Sequence, residues 1–126
     1  MADFWSGSIW RNLKYGDRIP LGELAPHATH HLRITPEMTA EPQLVYTNGH
    51  FSMGGTEVES LRYFGQSVEL RIHWPWDYPV TMVLRAPQGK AWSNGQQGPA
   101  QWLAEGEYLR ILLKDRFAGR LRLELI

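Results

Sequence analysis

Few side chains in this chain are of the types that do acid–base, metal or nucleophilic chemistry, and their spacing limits what they could do. There are five histidines, His27, His30, His31, His50 and His73. His30 and His31 are adjacent, so on an extended strand they point to opposite faces and do not share one metal ion. No carboxylate stands at a metal-ligand spacing from any histidine, so neither a metal nor a cofactor is expected. The histidines read as surface or hydrogen-bonded groups. Glycoside hydrolysis calls for two carboxyls across a cleft. Asp3, Asp17, Asp77 and Asp115 fall near the start of the chain or at turns, where aspartate bonds local backbone. Glu57, Glu59 and Glu69 fall on faces that the pattern makes wet. No catalytic residue is assigned. The chain has no cysteine, which removes thiolate metal sites, disulfides and cysteine nucleophiles. It also lacks a G-x-S-x-G elbow and a phosphate-binding glycine loop.

The aromatic residues are the clearest binding signal. Six are tryptophan. "HWPWDYP" places Trp74, Trp76 and Tyr78 between and beside two prolines, and Trp92 lies in the long stretch "APQGKAWSNGQQG". Exposed aromatic faces stack on the apolar C–H patches of sugar rings, so Trp76, Tyr78 and Trp92 are candidates for an oligosaccharide platform. The competing reading is that such rings plug the edges of a sheet or an interface. Trp74 reads as core from its alternation.

The elements that must position these residues are strands. "SVELRIHW" sets Val68, Leu70, Ile72 and Trp74 against Glu69, Arg71 and His73. "GRLRLELI" sets Leu121, Leu123 and Leu125 against Arg120, Arg122 and Glu124, and "GEYLRILLK" aligns Leu109, Ile111 and Leu113. Period-two alternation of this kind marks half-buried antiparallel strands. Further candidates are "GSIWRNL", "RIPLGEL", "THHLRIT", "QLVYT", "TEVESLRYF" and "PVTMVLR". Turn signals separate them, including "TPEMTAEP", "TNGH", "FGQS" and the whole of "APQGKAWSNGQQGP". "GPAQWLAEGEY" holds one short helical turn at most. Each strand has one apolar face, which two sheets packed together would bury. The expected fold is all-β, a two-layer antiparallel β-sandwich of about eight to ten short strands.

The chain has 126 residues, 43% of them hydrophobic, which fits one domain over residues 1–126 with a sizeable core. Lys plus Arg and Asp plus Glu are 13 each. This balance leaves no electrostatic footprint for nucleic acid or an anionic membrane. No apolar run approaches the length of a membrane span. The start "MADFWSGSIW" lacks the basic and apolar regions of a signal peptide, and with the absence of cysteine this favours a cytoplasmic protein over a secreted one. Phe4 and Trp5 lie unusually close to the start, and "LRLELI" ends inside a strand pattern. Both ends read as cuts at domain edges, or as the ends of a subunit that packs on something else.

"YTNGHFSMGGTEV", residues 46–58, combines His50 with glycine pairs. Asn48-Gly49 is a tight-turn signal in which both residues tolerate positive φ, and Gly54-Gly55 offers a second corner or a bulge. His50 and Ser52 are placed to satisfy the backbone of that corner. The stretch reads as architecture.

Three segments together resemble the C-terminal β-sandwich of melibiase-like α-galactosidases and related glycoside hydrolases: "DFWSG" at 3–7, "GELAPHATHHLRITP" at 22–36 and "PQLVYTNGHFSMGGTEVESLRY" at 42–63. The likeness covers the first half of the chain best. Met53 stands where that pattern is often polar. The resemblance implies a non-catalytic accessory domain whose partner in cis is a (β/α)₈ catalytic barrel carrying the catalytic aspartates. An apolar patch of Phe4, Trp5 and Trp10 would then face the barrel, and the isolated chain would form homodimers through it. A carbohydrate-binding module and a small stand-alone enzyme are the alternatives.

Overall fold

The computed structural model describes residues 1–36, 40–50 and 52–126. Among them there are ten strands and no helix: β1 (Ala2–Asp3), β2 (Leu32–Arg33), β3 (Gln43–Thr47), β4 (Val58–Tyr63), β5 (Ser67–Trp74), β6 (Val80–Arg85), β7 (Gly95–Gln97), β8 (Ala100–Glu105), β9 (Tyr108–Leu113) and β10 (Phe117–Glu124). All pairings are antiparallel. A five-stranded sheet runs β3-β6-β9-β8-β7, a three-stranded sheet runs β10-β5-β4, and β1 pairs with β2 in a small third sheet.

The two larger sheets close on each other because each presents an alternating apolar face. Val68, Leu70, Ile72 and Trp74 of β5 and Leu121 and Leu123 of β10 meet Val80, Met82 and Leu84 of β6, Leu109, Ile111 and Leu113 of β9, and Ala100 and Trp102 of β8. This is the sandwich core, and the inward faces of β5, β9 and β10 are the ones that the alternation in the sequence marks as apolar. The opposite faces of β5 and β10 carry charge. There Arg71 pairs with Glu59 at 2.8 Å and Arg120 with Glu69 at 3.7 Å.

A second core lies on the other side of the five-stranded sheet. Val83 and Tyr108 point outward from β6 and β9 and are covered by Ala2, Phe4 and Ile9. Val45 and Tyr46 of β3 both join this cluster, while Leu44 packs into the first. The register shift between Leu44 and Tyr46 explains this: a bulge sends two consecutive side chains to one face. The start of the chain is thus a partial third layer.

Several expectations are corrected. "GSIWRNL" and "RIPLGEL" form no strand beyond an isolated bridge at Ile9, because no neighbouring strand offers them a ladder. Of "THHLRIT" only Leu32–Arg33 is strand. "GPAQWLAEGEY" is strand β8 rather than a helical turn, with Ala100 and Trp102 inward. The end of "APQGKAWSNGQQGP", read wholly as turn, forms β7, where Gly95 lies under the Trp102 indole. Glu57 is buried, not wet. Gly49 does not have positive φ; it is needed because a Cβ there would sit 2.8 Å from both Trp74 and Val80. Part of the turn "TPEMTAEP", residues 37–39, and Phe51 lie outside the described residues.

Candidate functional site

The β5–β6 connection carries the aromatic edge. Trp74 ends β5 facing the core, and its indole Nε1–H donates to the Tyr78 carbonyl at 2.8 Å, which ties the connection back onto the strand. Trp76 and Tyr78 each meet the Trp74 ring edge-on, at centroid distances of 4.9 and 5.0 Å. The T-shaped contacts brace both outer rings. Trp76 and Tyr78 are 41% and 48% exposed, with centroids 6.4 Å apart and planes inclined by 31°. Prolines on either side limit the backbone freedom of this loop. Asp77, between them, reaches Arg116 at 3.9 Å.

Trp92 does not belong to this surface. It is 2% exposed, donates its indole N–H to the Glu107 carbonyl at 3.0 Å and bridges to Leu125. It closes the end of the sandwich core, so the three-ring platform expected from the sequence is reduced to Trp76 and Tyr78. A buried Trp is stable here because its only polar atom has an acceptor.

The three residues expected at a domain interface divide as well. Phe4 is half-buried against the second core. Trp5 meets the Phe4 ring edge-on at 4.8 Å and is 65% exposed. Trp10 is half-buried in the wall of a cleft beside the chain start. Trp5 is therefore the outward member. Beyond it, residues 11–30 are solvent-exposed apart from the half-buried Ile19 and Leu21. Leu13, Tyr15 and Leu24 are among the exposed large apolar side chains there.

The polar candidates make hydrogen bonds to backbone and neighbouring side chains. Asp3 is buried and collects donors from two parts of the chain. Ser6 Oγ–H donates to it at 2.9 Å, the Trp5 and His31 amides at 3.3 and 3.4 Å, and His30 Nδ1 lies at 3.2 Å. Burial pushes the Asp3 carboxyl up, but the hydrogen bonds from Ser6, His30 and the two amides outweigh it and hold it below the ordinary carboxylate value. His31 lies against the Phe4 ring. His50 Nδ1 lies 2.8 Å from Ser52 Oγ and accepts the Ser52 amide at 3.2 Å, and Ser52 Oγ accepts the Gly55 amide at 3.1 Å, as the architectural reading expects. Met53 takes a positive φ of 50° at this corner and is buried, and its carbonyl accepts from Arg33.

Glu57 was not singled out by its pattern. It is fully buried, its Oε1 accepts the Thr47 hydroxyl at 2.7 Å, and its Oε2 has no hydrogen-bond partner among the described residues. Its only advance signal is the neighbouring glycine corner. Among the described residues, no group of three or more His, Asp or Glu is gathered as for a metal ion.

No protein-family model, no curated protein and no solved structure matches this chain.

Proposed function

We propose that this chain is a non-catalytic accessory β-sandwich of a glycoside hydrolase, packing in cis against a catalytic (β/α)₈ barrel, as its resemblance to the C-terminal domain of melibiase-like α-galactosidases implies. The observation that carries the reading is the unpartnered N-terminal surface. Trp5 faces solvent near the chain start, and Leu13, Tyr15 and Leu24 face solvent on residues 11–30, a segment with local turns that is tied to the rest of the chain at its ends, by Arg11 over the Tyr108 ring and by His30 at Asp3. Large apolar side chains on such a segment gain by covering. The two carboxyls removed from water do not form a catalytic pair in this reading: Asp3 is committed to backbone and serine donors and Glu57 to Thr47.

The test has two arms. Light scattering of the purified chain over a concentration series is expected to show self-association, relieved by the joint substitution Trp5→Ser, Tyr15→Ser and Leu24→Ser. A chain that stays monomeric throughout removes the packing role. An assay of the chain against aryl galactosides, glucosides and mannosides is expected to show no turnover, and turnover lost in a carboxylate variant would make the chain an enzyme.

A second reading, a carbohydrate-binding module, is favoured by one observation, the braced and half-exposed Trp76–Tyr78 pair. Titrating intrinsic fluorescence with galacto-, gluco- and manno-oligosaccharides separates it from simple edge plugging. A saturable change absent in Trp76→Ala supports it, and a flat response at millimolar sugar ends it.

A further inference from the structure

A cleft of about 220 Å³ opens between residues 9–13, residues 34–36 and the outer face of the five-stranded sheet. Tyr108 is a buried part of its wall. The Arg11 guanidinium lies 4.0 Å above the Tyr108 ring centroid. This cation–π contact holds the guanidinium at the cleft wall. Among the described residues Arg11 has neither a hydrogen bond nor an ion pair.

Three further features point to a ligand. Among the described residues, the buried Thr35 hydroxyl in the same wall has no hydrogen-bond partner. A buried hydroxyl left unpaired is costly, and native structures rarely keep one without a reason. Gln43, beside it, is held by its own Nε2–H bond to the Pro36 carbonyl at 2.7 Å, so the wall is set. Arg85, opposite Tyr108 in the ladder, adds a second positive charge while keeping its own contacts in the protein. None of the described lining residues is acidic. Glu37, which follows Pro36, lies outside the described residues.

We propose that this cleft binds a small hydroxylated organic carboxylate about one sugar ring in size, its carboxylate on Arg11 and a hydroxyl on Thr35. A guanidinium fork matches a carboxylate in two parallel hydrogen bonds. Ile9, Trp10 and Val45 in the wall favour an organic body over a bare anion. The volume lies below the range usual for drug-sized ligands, which sets the size. The site stands apart from the aromatic edge; it shares Trp10, Arg11 and Leu13 with the surface proposed to pack on a barrel, and the titration of the isolated chain tests it separately from that reading.

The experiment is a titration of the ¹⁵N-labelled chain with D-glucuronate, D-glucose and inorganic phosphate, following backbone amides and the Arg11 Nε–H signal. Glucuronate is expected to give saturable shifts at Arg11 and Thr35, while glucose and phosphate give none that saturate over the same range. Arg11→Gln is expected to weaken glucuronate binding by roughly ten-fold or more, the usual cost of losing a charged hydrogen-bond partner. Thr35→Val, whose fold is checked by its own amide spectrum, is expected to weaken it by a few-fold and carries the test if Arg11→Gln misfolds. No saturable response to glucuronate, equal binding by both variants, or equal saturation by phosphate would each overturn the assignment.

Discussion

At the scale of single residues, the chain shows how little of a side chain's role its type alone decides. Glu57 is the plainest case. The Thr47 hydroxyl donates to the Glu57 carboxyl at 2.7 Å and accepts the Gly49 amide at 3.3 Å. Thr47→Val keeps the volume but leaves the buried carboxyl without that donor. It is expected to destabilise the fold by about 1–3 kcal/mol, read as a lower urea midpoint at unchanged slope. Gly49→Ala tests a different cause. Its Cβ would meet Trp74 and Val80 at 2.8 Å, and forcing extra volume into a packed site typically costs about 1–3 kcal/mol. Gly89→Ala is the control, because nothing lies within 4 Å of a Cβ there and only the positive φ of 77° opposes it. Urea denaturation is expected to rank Gly49→Ala as the more damaging of the two.

At the scale of elements, the sandwich and the N-terminal layer are held by different forces. The sandwich rests on interlocked apolar faces, whereas β1 and β2 are short and depend on the hydrogen bonds gathered by Asp3. The folded Asp3 carboxyl sits below its ordinary value. A depressed carboxylate contributes stability that is fully present above the unfolded value, about 3.9. That stability is lost as the pH falls through the folded value. Acidification below about pH 4 is therefore expected to loosen residues 1–10 and 30–33 before the sandwich opens. Hydrogen exchange should show faster exchange of the Trp5 and His31 amides, with those of β5 and β9 still protected. Asp3→Asn is expected to reproduce that loosening at neutral pH and to flatten its acid dependence. An acid response unchanged in Asp3→Asn would assign the effect to another group.

At the scale of the whole molecule, two cores of unequal extent share one sheet, and a long exposed segment joins the first two strands of the chain. Segments with few buried contacts open first. Limited trypsinolysis is expected to cut first after Lys14 and Arg18, leaving a resistant fragment that runs to Ile126. Arg71, Arg110 and Arg122 lie in ladders of the sandwich and should be cut much later. Early cleavage within β5, β9 or β10 at a comparable rate would mean that the sandwich itself opens as readily as the segment. Covering the same segment with a packed partner should slow the first cuts, which connects this measurement to the packing role proposed above.

The sequence by itself determined the class of fold, the inward faces of β5, β9 and β10, the core position of Trp74 and the architectural part played by His50 and Ser52. Each of these is a local property: alternation with period two, or a side chain within a few residues of the backbone group it satisfies. Only the tertiary structure decided the rest. "GSIWRNL" alternates acceptably but has no adjacent strand to complete a ladder, and strand formation needs a partner as well as a pattern. Trp92 was drawn inward because the end of the sandwich needed filling and the Glu107 carbonyl could take its N–H. Glu57 directly precedes β4, whose register shifts between Val58 and Ser60, so its face was not legible. The cleft under Arg11 joins residues 11, 35 and 108, which no short-range signal connects. Partners distant in the chain are chosen by the way the layers close, and that choice is made by packing.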